Sequence, residues 1–201
     1  MDTPAEPLPC PAPAPLAARL CWRALTAADV PAVVEVEKTA HAHPWRARHF
    51  EDSLAAGYWM RLLALRPDAG ADPPHWVHSP TTPEGHWLLG YLVAMPGVDE
   101  GHLLDVTVAP THQRQGWGRW LLHALAHWGR AQRYAHLWLE VRRSNAPARA
   151  LYQRCGWVEV GVRKNYYPDT AQRREDAIVM RLDMGEHCAP TTVRSNPTAC
   201  P

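Results

Sequence analysis

Leu104-Asp105-Val106-Thr107-Val108-Ala109-Pro110-Thr111-His112-Gln113-Arg114-Gln115-Gly116-Trp117-Gly118-Arg119 is the stretch on which the reading of the fold turns. An apolar strand, Leu103–Val108, runs through a proline turn into a glycine-punctuated loop. The loop opens a helix, Gly116–Arg130, with an apolar stripe at Trp117, Leu121, Leu122, Leu125 and Trp128. The first N–H groups of a helix lack intrahelical partners and carry partial positive charge, so they form an anion site. Gly116 and Gly118 remove the Cβ atoms that would keep a phosphate away, and Arg114, Arg119 and His112 offer charge-assisted donors. A pyrophosphate fits this loop. The glycines alone would serve equally well to permit a tight turn. The dinucleotide fingerprint needs a third glycine and the P-loop a Lys-Ser/Thr pair, and neither is present.

Outward from this stretch, Leu20–Ala24 reads as a strand, and Thr26 caps a helix whose apolar positions are Val30, Val33 and Val34. A second helix is expected over Arg46–Ala56, stopped by Gly57. Tyr58–Leu65 and Trp87–Met95 are strands preceding Leu103–Val108. His136–Val141 is a strand, Ala146–Cys155 a helix capped by Asn145, and Trp157–Val162 and Ala177–Leu182 close the series. The order β-α-α-β-β-β-α-β-α-β-β, with hairpins in the middle, means α+β rather than a doubly wound sheet.

One domain, residues 18–184, holds all of these elements. An Ala/Pro-rich tail (1–17) precedes it and a polar tail (185–201) follows; both read as disordered. A Pro/Gly/His-rich stretch, 66–85, reads as a long surface loop. Twenty-one basic residues against 20 acidic leave no global field to draw a nucleic-acid backbone, so any anion site must be local. The longest apolar run, Trp87–Met95, is strand-sized, and the N-terminus lacks the basic and apolar regions of a secretory signal. No membrane partner is therefore expected, and the location expected is the cytoplasm. Five cysteines without a C-x-x-C read as free thiols, in keeping with that compartment. His41-x-His43 and His75-x-x-His78 lack a third ligand at metal spacing and read as surface histidines, so no metal is expected. Ten Trp against one Phe place tryptophan at core positions where phenylalanine is commoner.

Gln113-x-x-Gly116-x-Gly118 after a strand resembles the acyl-CoA pyrophosphate loop of the GCN5-related N-acetyltransferases (GNAT superfamily). Asn145-Ala146-x-Ala148-x-x-Leu151-Tyr152-x-x-x-Gly156-Trp157 resembles the second signature of that family, which usually ends Gly-Phe. Further segments are similar to the bacterial ribosomal-protein alanine N-acetyltransferases of the RimI type: Ala40-His41-x-x-Pro44-Trp45, Trp138–Arg142, Ser144-Asn145, Arg163–Pro168 and Arg174–Ala177. The resemblance covers about Leu20 to Met184. It implies the GNAT fold, a central mixed, mostly antiparallel sheet flanked by about four helices. It also implies acetyl transfer from acetyl-CoA, as cosubstrate, to the N-terminal alanine of a ribosomal protein, the eighteenth of the small subunit. A monomer is expected.

The same resemblance makes Glu140 the general base and Tyr152 the general acid; without it they read as an exposed strand glutamate and a core tyrosine. It assigns the cofactor to Val106, Thr107 and Val108 through their backbone, to the loop Arg114, Gln115, Gly116, Trp117, Gly118 and Arg119, and to Asn145. Thr107 stands where a small apolar residue is usual, and Trp117 where Leu or Ile is usual. His41–Trp45 and a loop at Asn165–Pro168 are candidates to line an acceptor groove. Glu37, Glu175 and Asp176 could attract a basic peptide, but each reads individually as a cap, a packing residue or a solvated charge. Transfer to a lysine or a small amine, and a non-catalytic acyl-CoA-binding module, stay open beside the N-terminal reading.

Overall fold

A computed structural model describes residues 16–70, 72–169 and 173–185. The tails expected at 1–17 and 185–201 lie outside these residues except for Leu16, Ala17 and Gly185. Seven strands form one sheet in the order β1-β2-β3-β4-β5-β7-β6: β1 (Leu20–Ala24), β2 (Trp59–Leu65), β3 (Trp87–Pro96), β4 (Glu100–Val108), β5 (His136–Arg142), β6 (Val158–Pro168) and β7 (Arg174–Asp183). Every neighbouring pair is antiparallel except β4 and β5. Among the described residues four α-helices accompany it: α1 (Val30–Ala40), α2 (Ala47–Ala55), α3 (Trp117–Ala131) and α4 (Ala146–Arg154). This is the α+β architecture and the element order expected from the sequence.

The central strands β2 and β3 are buried on both faces, while β6 at the edge is exposed along its length. On one face Leu63, Leu65, Leu89, Leu103, Leu137 and Leu139 pack under α3 and α4. On the other, Leu62, Ala64, Leu88, Tyr91 and Val93 meet Val33, Val36 and Phe50 of α1 and α2. Tryptophan fills the first face: Trp59 stacks on Trp128 at 4.6 Å, and Trp22 meets Trp120 edge-on at 5.1 Å. Gly101 makes room for that packing, because a Cβ there would lie 2.9 Å from Leu137 and 3.0 Å from Trp128.

Thr26 opens a short 3-10 turn (Ala27–Asp29) ahead of α1, where the buried Asp29 carboxylate accepts from the Thr26 N–H at 2.9 Å and grips Arg23 through two contacts of 2.7 Å. The stretch 66–85 is more than a surface loop. Its 3-10 turn, Pro74–His78, buries Trp76, while His75 and His78 are exposed as expected. Asp72 accepts from Trp87 Nε1 at 2.8 Å and pairs with Arg19, and Glu84 pairs with Arg23 at 2.9 Å. The expected loop at Asn165–Pro168 belongs instead to β6, which continues past the Val162 expected as its end. Asn165, at φ 50°, takes up a register shift between Arg163 and Tyr167, so the strand absorbs a bulge rather than ending there.

Candidate active site

The parallel pairing of β4 with β5 runs from Glu100/His136 to Leu103/Leu139 and stops. Beyond it, Leu104–Val108 and Glu140–Arg142 part, and the sheet opens at the C-terminal ends of both strands. Ala109 N donates to Leu89 O at 2.9 Å, so by strand alternation the backbone of Thr107 also faces β3, while that of Val106 and Val108 faces the gap. Gln113 Nε2 donates to Val108 O at 3.2 Å from the rim. Val106 and Val108 thus stand ready for amide groups of a ligand. Thr107 does not: its hydroxyl turns to the α1 face.

At the same end of the sheet lies the helix-opening loop. Arg114 (φ 61°) and Gly116 (φ 93°) adopt left-handed backbone, and Gln113, Arg114, Gln115, Gly116 and Arg119 are exposed. A Cβ on Gly116 would meet nothing within 4 Å, so its glycine answers to the positive φ and the open approach to the helix start. Trp117 is 2% exposed in the core, leaving only its backbone to the loop. His112 is also withdrawn: it is fully buried, edge-on to Trp76 at 4.7 Å, with neither ring nitrogen hydrogen-bonded. Burial, and then the neighbouring His75, pull its pKa down to about 4, so it is neutral and no phosphate donor. Asn145 caps α4, its Oδ1 accepting from Ala148 N at 3.2 Å.

Glu140 and Tyr152 approach the gap from different sides. Glu140 is on β5 opposite the face of Leu139 and Val141, and its carboxylate pairs with Arg163 Nη1 at 2.9 Å. Tyr152 is buried on α4 among the α3-side core. Burial, then the charges of Asp105 and Tyr167, push its phenol above the usual tyrosine range. Tyr167 links the two sides, because its Oη donates to Glu140 O at 3.0 Å and Arg142 lies over its ring at 4.6 Å. Burial, followed by Glu140, pushes that phenol up to about 12. Glu175 and Asp176 hold Arg142 and Arg143 in ion pairs of 3.3 Å.

Sequence reasoning missed a cluster on the β4 side. Glu37, expected as a solvated charge, is 1% exposed. It accepts from Trp45 N at 2.7 Å and from the Tyr91 hydroxyl. His41, exposed as expected, places Nε2 2.7 Å from Thr107 Oγ1, which lies 3.0 Å from Asp105 Oδ1 and 3.3 Å from Glu37 Oε1. Ligand atoms of Glu37, His41 and Asp105 lie within 4.8 Å of one another. The Thr107 hydroxyl stands among them where an ion would have to sit. The signal was the polar Asp105 and Thr107 on an otherwise apolar strand.

A thioester laid in the gap would therefore have the backbone amides of β4 along one edge, a carboxylate and a phenol on different sides, and a diphosphate-sized cradle at the helix start. Residues 31–157 match the model of the Acetyltransferase (GNAT) family. The [ribosomal protein bS18]-alanine N-acetyltransferase of Escherichia coli K12 is 37% identical over 158 residues, 79% of this chain and 93% of that protein. The protein of the same name from Haemophilus influenzae is 31% identical over 156 residues, 78% of this chain and 93% of its own length. The crystal structure of the Escherichia coli ribosomal-protein-S18-alanine N-acetyltransferase superposes with a TM-score of 0.67 at 34% identity, covering 84% of this chain and 96% of that one. The chain belongs to the GNAT family and is an acetyl-CoA-dependent acyltransferase of the ribosomal-protein alanine N-acetyltransferase type.

Proposed function

We propose that this enzyme acetylates the α-amino group of an N-terminal alanine, with ribosomal protein bS18 as acceptor, in the cytoplasm. The observation that carries the reading is the opening of the β4–β5 pair after Leu103/Leu139 with Glu140 and Tyr152 on its borders. The names of the relatives support the acceptor.

Amide formation needs a neutral amine, a polarised carbonyl and a protonated leaving thiolate. An α-amine has a pKa near 8, so freeing it at neutral pH costs about 1 kcal/mol, far less than for a lysine near 10.4. Glu140 takes the proton that the amine loses as it attacks the carbonyl carbon. The backbone at Val106 and Val108 holds the pantetheine arm and polarises the carbonyl; an N–H aimed at the developing oxyanion is its largest contribution. Tyr152 gives its proton to the departing sulfur, and Glu140 returns one to Tyr152. Burial that raises the Tyr152 pKa keeps the phenol protonated until the thiolate forms. Arg114, Gln115, Gly116, Trp117, Gly118 and Arg119 cradle the diphosphate, with Trp117 contributing backbone only.

The test is mass spectrometry after incubation with acetyl-CoA and peptides that begin with Ala or carry only an internal lysine. Acetyl on the alanine α-amine is expected; acetyl confined to lysine overturns the proposal. Glu140→Gln should lower the rate most at low pH and spare acetyl-CoA binding, and an unchanged pH profile removes Glu140 from the base role.

A further inference from the structure

The overall reaction releases a proton. An α-ammonium sheds two, the sulfur takes one back, and one must reach solvent. Glu140 and Tyr152 account for the proton exchanged between nitrogen and sulfur; the other needs an outlet. The geometry points to the cluster of Asp105, Glu37, Thr107 and His41 as that outlet: it seats the acceptor ammonium on Asp105 and conducts its first proton to the surface. The inference rests on the acceptor reading above.

Several observations meet here. Asp105 is on the strand that borders the gap, and its side chain shares a face of β4 with that of Thr107, whose hydroxyl lies 3.0 Å from Asp105 Oδ1. Its Oδ2 is buried without a hydrogen-bond partner, an open acceptor where buried polar atoms are normally satisfied. Glu37 is buried beside it. Among the described residues no arginine or lysine forms an ion pair with either carboxylate. Two carboxylates this close in a low dielectric retain one proton between them. Glu37 collects the donors, Tyr91 and Trp45 N, whereas Asp105 Oδ2 collects none, so the shared proton is on Asp105. Burial and then Glu37 raise the Asp105 pKa, in the same sense. One buried negative charge with a vacant oxygen is complementary to an ammonium.

The outlet runs along a chain of short contacts. The ammonium N–H bond breaks as Asp105 Oδ2 gains its proton, and Asp105 Oδ1 passes its own proton to Thr107 Oγ1 at 3.0 Å. Thr107 gives its hydroxyl proton to His41 Nε2 at 2.7 Å, and His41, whose side chain is 37% exposed, releases one to water. Each residue on the path ends with the number of protons it began with, and the amine is left neutral. The titratable groups facing this path are Glu37 and His41 at α1 and its end, Tyr91 on β3 and Tyr152 on α4; Glu140 and Tyr167 stand across the gap.

The experiment uses the full chain, acetyl-CoA and an Ala-first peptide, with rates measured across pH for wild type, T107S, T107V and H41Q. Thermal melts confirm that each variant folds. Thr107→Val keeps the shape and removes the hydroxyl; kcat/KM for the peptide should fall by about 10²-fold, most at low pH where the ammonium prevails, with KM for acetyl-CoA unchanged. Thr107→Ser should restore most of the rate, and added imidazole should rescue H41Q but not T107V. A T107V enzyme that matches wild type at every pH, or an H41Q enzyme indifferent to imidazole, overturns the outlet. If wild type ignores α-amines and acetylates another amine, the acceptor reading fails, and the same variants assayed on that amine decide the outlet separately.

Discussion

Gly90→Ala tests whether the position of β4 sets the reaction rate. Gly90 pairs with Val108, and a Cβ on it would lie 2.5 Å from Thr107 O and 3.2 Å from the Val108 Cα. A carbon-to-carbonyl contact is comfortable at about 3.3–3.6 Å, so β4 must retreat by roughly 1 Å toward the gap. The neighbours offer no relief, because Leu121 lies 3.2 Å away and is fully buried. Overpacking of this kind costs about 1–3 kcal/mol, or a Tm loss of roughly 2–4 °C per kcal/mol in a domain of this size. The larger effect falls on chemistry: a 1 Å misplacement costs about 10²-fold in rate, since Val106 and Val108 move with Thr107. Gly161→Ala is the control, because its Cβ would meet only Val179, at 4.0 Å, and a Gly→Ala change at a compatible site stabilises by about 0.4–1 kcal/mol. Circular dichroism melts and acetyl transfer to an Ala-first peptide read the two effects. A G90A enzyme with wild-type Tm and wild-type rate would refute the claim that β4 is held against β3 without slack.

Asp29→Ala leaves the buried Arg23 with only Glu84 to pair with; urea unfolding should show a loss of about 3 kcal/mol, the low end for a broken buried pair. Trp76→Ala removes the aromatic wall against His112 and should cost about 3–5 kcal/mol. Steady-state kinetics of that variant should also show a raised KM for acetyl-CoA, because Ser79 and Trp76 brace Thr111 and His112 under the diphosphate loop. His112 has a folded pKa of about 4 against 6.5 unfolded, so as pH falls below 6.5 only the unfolded chain gains the proton. Stability is therefore lost on acidification through that window, by about 3 kcal/mol at about 1.4 kcal/mol per unit, and His112→Phe should abolish that part of the acid dependence in urea titrations at several pH values.

The element order was readable because the period of apolar residues differs between strands and helices, and because Gly57, Asn145 and the Gly116 loop punctuate it. Strand ends were less readable: β6 was expected to end at Val162 because Arg163, Lys164 and Asn165 read as polar loop, yet an edge strand with both faces in solvent carries such residues without penalty. At the site, Gly116 and Asn145 stand in the local roles expected of them, since both answer to local backbone geometry. His112 departed, because its burial depends on what the distant 66–85 stretch brings against it. The Glu37–Asp105 pairing was invisible for the same reason. The two residues are 68 positions apart, and nothing in local pattern says that α1 crosses the end of β4.

The topology explains why all these groups meet at one end of the sheet. The single parallel pair, β4 and β5, requires a crossover, and α3 supplies it. A crossover helix begins where its strand ends, so the N-terminus of α3 lies beside the C-terminal end of β4, and the N-terminus of α4 beside that of β5. Both strand ends lie past Leu103/Leu139, where pairing has stopped, so the free strand backbones and the free helix N–H groups border the same opening. Crevices beyond the carboxyl ends of parallel strands take ligands in open α/β sheets for this reason. Here one parallel pair in an antiparallel sheet suffices. Antiparallel β3 fixes β4 from one side and β7 fixes β5 from the other, so the gap is held open by strands that cannot follow one another. The reaction centre is thus a consequence of connectivity, and the side chains at 105, 107, 140, 152 and 167 determine what that opening does with a proton.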